Sequence, residues 1–181
     1  TPLGAAAKFA SAGKDTPKKA LGLEAMTFRN VYVGRIAFGA NMNQTVQTLR
    51  EAEAFPGTSI VVAYSPCIAH GYDLAKNVEQ QKRLVGSGLW ALYRYDPRRA
   101  AEGQPPLKLD SRAPTLKVKD FMDQEARFRM VEKIDPERFR VLQAASQKHA
   151  EQRWRVYLEV AGISVTEPDP EPAGVAETAS S

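Results

Sequence analysis

Cysteine is almost absent from this sequence: Cys67 is the only one. A single thiol excludes an internal disulfide framework and leads to the expectation of a reducing, intracellular (cytoplasmic) setting, with one thiol left to explain. Histidine is nearly as scarce, limited to His70 and His149. No apolar run approaches the ~18 residues of a membrane span, and Thr1-Pro2-Leu3-Gly4 lacks both an initiating Met and the charged-then-apolar layout of a secretory signal. The net charge of +4 is modest, and the residues after Gly162 (Glu167, Asp169, Glu171, Glu177) hold acids and no base, so the body of the chain is more basic than the whole. Its basic residues are scattered among acids rather than clustered with aromatics, which suits a solvated face or an acidic partner and gives no expectation of nucleic-acid binding.

What is present is enough for one domain with a core: 181 residues, 43% of them hydrophobic. Asp15-Thr16-Pro17 signals a helix start and predicts a short helix from Pro17 to Met26. The β-branched and aromatic run Asn30 to Phe38 reads as a strand that Gly39 punctuates. Met42, Val46, Leu49 and Ala52 recur at helical spacing across Asn43 to Phe55, and Pro56-Gly57 stops the pattern. The continuous apolar run Ser59 to Tyr64 reads as a strand covered on both faces, which points to a parallel sheet. A helix from Asp73 to Val85 carries Leu74, Val78 and Val85, and Leu89 to Tyr95 reads as a third strand. This βαβαβ order is that of a doubly wound α/β sheet, whose ligands gather beyond the carboxyl ends of the strands. Beyond Pro97 the chain turns irregular, with a short helix near Val118 to Gln124. Asp135-Pro136 starts the longest helix, reaching about Ala161, and Gly162 ends it. The Pro-, Glu-, Ala- and Ser-rich stretch Ile163 to Ser181 is expected to be a disordered acidic tail, since it has too little apolar surface to offset chain entropy.

Cys67 stands out because Ser65-Pro66-Cys67-Ile68-Ala69-His70-Gly71 leaves the carboxyl end of the middle buried strand. Three readings of it compete with a ligand role. A free cysteine often serves as a small buried hydrophobe. The Cys67-x-x-His70 spacing suits zinc but lacks four good ligands, with His149 on the distant long helix. An imidazole at His70 would hold Cys67 as a nucleophilic thiolate, though no orienting third residue is evident. Gly39-Ala40-Asn41 opens a helix after a strand, where backbone amides can meet an anion, but it lacks the spaced glycines of a dinucleotide fingerprint. Trp90, Tyr93 and Tyr95 suit a stacking platform or, more simply, a sheet core.

Colinear blocks run through the chain: Gly13-Lys14, Lys18-Lys19-Ala20-Leu21-Gly22-Leu23, Met26-Thr27-Phe28, Asn30-Val31-Tyr32-Val33, Gly39-Ala40-Asn41 and Asn43-Gln44. They continue through Glu51-Ala52-Glu53-Ala54-Phe55-Pro56-Gly57, Ala63 to Gly71, Glu79-Gln80-Gln81-Lys82, Leu92-Tyr93-Arg94-Tyr95-Asp96-Pro97 and Leu109-Asp110-Ser111. Together they resemble the C-terminal part of the thiamine-diphosphate-binding domain of the pyruvate:ferredoxin/flavodoxin oxidoreductases, from Thr1 to Ala161. The resemblance implies oxidative decarboxylation of pyruvate with coenzyme A to acetyl-CoA and CO2. Electrons leave through [4Fe-4S] clusters to ferredoxin or flavodoxin, in an enzyme expected to be homodimeric when complete. It places Cys67 as the fourth ligand of the [4Fe-4S] cluster nearest the thiamine, a thiolate of the kind such a cluster needs.

Departures from the family pattern are equally informative. The Gly-Asp-Gly motif and the later Asn-containing segment that hold Mg2+ and thiamine diphosphate are absent, as are three earlier cluster cysteines. The resemblance therefore places those ligands outside this chain, which is expected to be a truncated part, inactive alone. Residues 1–162 form its domain segment and 163–181 its tail. Tyr72-Asp73-Leu74-Ala75-Lys76-Asn77-Val78 replaces a more Gly-rich stretch. The contrasting class is a non-catalytic α/β interaction module in which Cys67 is structural. Composition predicts that limited proteolysis will trim Ile163 to Ser181 before cutting the long helix, as mass spectrometry of the first fragments would show; equal protection of both contradicts the tail assignment.

Overall fold

In a computed structural model the structure describes residues 1–164; the expected tail beyond Ser164 lies outside the described residues. The architecture is α/β, with a four-stranded mixed sheet in the order β2-β1-β3-β4 and a long final helix. The elements in chain order are α1 (Leu21–Met26), β1 (Tyr32–Ile36), α2 (Met42–Ala54), β2 (Ser59–Ala63), α3 (Asn77–Gly86) and β3 (Tyr93–Tyr95). Then come β4 (Leu107–Leu109), α4 (Val118–Met122), α5 (Ala126–Ile134) and α6 (Pro136–Val160).

The β1-α2-β2 unit forms as expected, with β1 and β2 parallel and Tyr32 opposite Ser59 through Ile36 opposite Ala63. The third strand differs from its expectation. Only Tyr93–Tyr95 joins the ladder, and it runs antiparallel to β1 with Gly34 opposite Arg94. Its hairpin partner β4, which the sequence pattern does not reveal, pairs Tyr93 with Leu109. A local apolar run announces a strand; its direction is set by that distant hairpin partner.

Period-two alternation divides β1 between two layers. Val33 joins Ala25, Met26, Tyr93, Tyr95, Leu107 and Tyr157 in the core between the sheet and helices α1 and α6. On the other face Tyr32 donates to Glu51 Oε2 of α2 at 3.0 Å. A second core holds Phe121, Met122, Phe128, Val131, Phe139, Leu142 and Ala5. The 25-residue α6 serves both, through Phe139 and Leu142 at one end and Tyr157 at the other. Asp135 caps it by accepting from Arg138 N at 2.9 Å, Pro136 occupies the first turn, and Gly162 closes it at φ 67°.

Arg35 ties these layers together. Its guanidinium stacks 3.9 Å from the Trp90 ring centroid and donates to Tyr157 Oη at 2.7 Å. Tyr93 (1% exposed) and Tyr95 (7%) are buried, so the aromatic group is sheet core rather than a stacking platform.

Helix α2 faces the sheet with polar residues. Gln44, Thr45 and Thr48 are buried, while Met42, Val46 and Leu49 are about half exposed. The cause lies across the layer, where Arg94 of β3 takes a two-pronged grip on Asp110 (2.8 and 2.9 Å) and also pairs with Glu51. Gln44 Nε2 adds a 3.1 Å bond to Asp110. A partly buried guanidinium needs acceptors, so the polar stripe of α2 turns inward and the apolar stripe outward. Helix α3 shows part of the same inversion, with Gln80 and Gln81 buried beside Leu84 while Val78 is exposed.

The two sheet edges differ. Edge strand β4 is three residues long with Lys108 exposed, which discourages pairing. Edge strand β2 is five residues long, uncharged, and half-buried along Ile60, Val61 and Val62.

Helix α2 leaves no room for a side chain at Gly34 of β1, where an added Cβ would run into Thr48 Cγ2. Gly34→Ala should cost about 1–3 kcal/mol, read as a lower urea midpoint. Adding Thr48→Ser, which deletes that methyl and keeps the hydroxyl bond to Gln44 O, should recover part of the loss. Equal midpoints for wild type and Gly34→Ala would contradict this packing.

Candidate functional site

Strand β2 ends at Ala63, and Tyr64 N extends its pairing by donating to Ile36 O at 3.0 Å. Ser65 and Pro66 then lead the chain away from the sheet. Cys67 follows in extended conformation at the head of a 3-10 turn, Ile68–His70, closed by His70 N to Cys67 O at 3.0 Å and by Gly71 at φ 75°. The Cys67 thiol is free and exposed. Its place beyond the carboxyl end of a parallel strand is the one the sequence predicts; burial as a small hydrophobe is not what the structure shows.

His70 points elsewhere. Its Nδ1 lies 3.4 Å from Tyr64 Oη and 4.0 Å from Glu125 Oε1, and its ring stacks on Tyr72 with centroids 6.4 Å apart. No hydrogen bond joins the His70 ring to the Cys67 thiol among the described residues, so the paired nucleophile does not form. Burial, helped by the positive fields of Arg127 and Lys18, lowers the His70 pKa to about 4, and a neutral imidazole offers no cation to hold a thiolate. The zinc reading fails as well. His149 sits on α6 with Nε2 2.9 Å from Arg153 Nη2, and among the described residues no three His, Cys, Asp or Glu side chains gather as a metal site.

The amides of Gly39-Ala40-Asn41 are spoken for within the chain. Gly39 N donates to Gln81 Oε1 at 3.0 Å, and Ala40 N and Asn41 N both turn back to Ala37 O. Asn41 Oδ1 caps α2 by accepting from Gln44 N at 3.0 Å. This segment is a turn and a cap, with no amide left over for an anion. The Tyr72 to Val78 stretch holds a second 3-10 turn, Leu74–Lys76, capped by Asp73 Oδ1 on Ala75 N at 3.0 Å.

Behind the loop lies a group of residues that the sequence does not single out. Glu125 is fully buried, with Oε2 accepting from Arg127 Nε at 2.6 Å and Oε1 from Gln80 Nε2 at 3.1 Å. Burial raises its carboxyl pKa against the pull of Arg127 and Gln80. Tyr64 is also raised, first by burial and then by the Glu125 charge. The loop meets this group directly through Ala126 N, which donates to Gly71 O at 3.0 Å, and a Cβ on Gly71 would collide with Ala126. In sequence, Glu125 sits in the charge-rich run Asp123-Gln124-Glu125-Ala126-Arg127, which gives no sign of burial.

The pKa directions fix a pH response. Because the folded state keeps His70 neutral and the unfolded chain protonates it near the ordinary 6.5, its contribution is complete above pH 6.5 and is lost as pH falls toward about 4. Glu125 has the opposite sign, since its raised pKa lets the folded state take up protons first and recover part of that loss. His70→Gln should therefore flatten the fall in melting temperature between pH 6.5 and 4. A variant with the wild-type slope would show that His70 does not carry it.

Among described residues no helix is long and apolar enough to cross a membrane. No family model matches the chain. It is similar to a pyruvate-flavodoxin oxidoreductase of Rhodospirillum rubrum, 47% identical over 164 residues that make up 91% of this chain and 14% of that protein. A second pyruvate-flavodoxin oxidoreductase, from Trichormus variabilis, is 48% identical over 92% of this chain and 14% of its own length. The pyruvate:ferredoxin oxidoreductase of Moorella thermoacetica is 41% identical over 89% of this chain and 14% of its own length. The chain thus spans about one-seventh of these curated relatives. Identity at this level over nine-tenths of its residues shows that the chain belongs, as a segment of that length, with the pyruvate:ferredoxin/flavodoxin oxidoreductases.

Proposed function

We propose that this chain is the C-terminal part of the thiamine-diphosphate domain of a cytoplasmic enzyme. That enzyme oxidatively decarboxylates pyruvate with coenzyme A and passes electrons to ferredoxin or flavodoxin. In this reading residues 1–162 are the domain segment, residues 163–181 a tail beyond it, and Cys67 the fourth ligand of a [4Fe-4S] cluster. The observation that carries it is the exposed, unpaired Cys67 thiol on a loop fastened at both ends, at Tyr64 and at Gly71. The donor set fits one corner of a cluster: a single exposed thiolate that, among the described residues, belongs to no group of three His, Cys, Asp or Glu side chains able to form a metal site of its own. The other three ligands, and the oxygen ligands for Mg2+ and thiamine diphosphate, would come from elsewhere in the complete polypeptide. When bound, the cluster supplies one-electron transfer away from the thiamine.

This chain's own part is to present the thiol, hold it still and keep His70 neutral beside it. By itself the segment would not catalyse. The outward stripe Met42, Val46 and Leu49 and the open β2 edge would seat the remainder of the polypeptide, in an enzyme that is homodimeric when complete. The exposed stripe equally suits a non-catalytic interaction module with a structural cysteine, and iron separates the two readings. In the complete oxidoreductase, Cys67→Ala should remove the electron paramagnetic resonance signal of one cluster and lower iron content accordingly. An unchanged spectrum, unchanged iron and normal pyruvate oxidation would refute the ligand assignment.

A further inference from the structure

Among the described residues, the segment Cys67 to Ala69 makes no side-chain hydrogen bond to the body of the protein. Ile68 is 81% exposed, and the only bonds inside the turn are His70 N to Cys67 O and Gly71 N to Ile68 O, both 3.0 Å. The direction of the thiol is therefore set by whatever holds the two ends of the turn. Tyr64, three residues before Cys67, and His70, three residues after it, meet each other at 3.4 Å, and His70 faces Glu125. Gly71, next in sequence, is tied by its carbonyl to Ala126 N, the residue after Glu125.

Glu125 joins these supports to the helices behind them. Its carboxylate takes Arg127 from α5, the helix it precedes, and Gln80 from α3, and Gln80 also donates to Phe121 O at 3.1 Å. The backbone of Arg127 in turn accepts from Ala6 N at 2.7 Å, which locks α5 to the N-terminal segment. A fully buried carboxylate is costly to desolvate, and an apolar residue of similar size would often leave a core no less stable. What an apolar residue could not do is hold Arg127 and Gln80 in fixed directions next to Ala126, whose N–H ties down Gly71, since a hydrogen-bonding frame has direction and a hydrophobic contact has little. Partners beyond the direct ligands set ligand orientation in metal centres generally.

Resting on the reading of Cys67 as a cluster ligand, we propose that Glu125, with Tyr64, His70 and Arg127, is a positioning group for the Cys67 loop. It acts through the loop and touches neither iron nor substrate. Glu125→Gln keeps the shape and removes the charge, so Arg127 loses its counter-ion and the loop gains freedom. Tyr64→Phe keeps the ring against Trp90 (centroids 5.6 Å apart) and removes only the hydroxyl.

The test uses the complete oxidoreductase and reads one cluster by reduction potential, electron paramagnetic resonance line shape and rate of iron loss to a chelator. Both variants should assemble that cluster with full iron, then show a shifted potential, an altered line shape and about 10- to 100-fold faster chelation, with Glu125→Gln the larger effect. Arg127→Lys, which retains a cation, should restore most of what Arg127→Gln loses. If Glu125→Gln fails to assemble, Tyr64→Phe and the Arg127 pair carry the test alone. Wild-type potential, line shape and chelation rate in these variants, beside a Cys67→Ser enzyme whose signature does change, overturn the positioning role and leave the ligand intact. An unchanged Cys67→Ser signature overturns the ligand assignment and this inference with it.

Discussion

A cation held by aromatic faces keeps this molecule's layers in place. The Arg35 guanidinium lies against Trp90 and reaches the hydroxyl of Tyr157, so β1, the approach to β3 and the far end of α6 meet on one side chain. Its second hydrogen bond, to Leu89 O at 3.4 Å, fixes the stretch that enters β3. Burial pulls the pKa of this group down, and the nearby phenol oxygens of Tyr157 and Tyr93 resist that pull. With one core toward each of its ends, α6 can serve both only if the sheet and the helix keep this registry. The fold thus depends on a polar contact placed where two apolar clusters would otherwise slide past each other.

How much of this was legible in the sequence depends on whether the cause was local. Asp135-Pro136 and Gly162 mark the ends of α6 because capping chemistry operates within a turn of the helix. The β1-α2-β2 unit was legible for the same reason, its boundaries agreeing within about two residues. Helix α1 begins later than the Pro17 signal suggests: Pro17 to Lys19 stay exposed, and the first helical turn closes only with Glu24 N on Ala20 O at 3.0 Å. Helix α5 leaves no periodic signal in the sequence, since only Phe128 and Val131 of its nine residues are buried.

Which way an amphipathic helix faces is a non-local matter, and α2 shows why. The spacing of Met42, Val46 and Leu49 is helical and the helix forms, but an apolar stripe facing outward cannot be anticipated without knowing that Arg94 sits under the helix. The candidate site divides along the same line. Cys67 was found from its place after a continuous apolar strand. Glu125 stayed hidden, because a carboxylate in a run of charges looks like a solvated surface until the partners from α3 and β2 are brought to it.

The two edges of the sheet also give the molecule a direction of growth. Edge β4 is short and carries a lysine, so the sheet is finished on that side, while β2 ends it with an unpaired ladder of five residues and no charge. Two copies meeting at that ladder would associate in a second-order process, whose initial rate quadruples when concentration doubles. For this chain on its own, such pairing would make time spent as a monomer a property of dilution as much as of sequence.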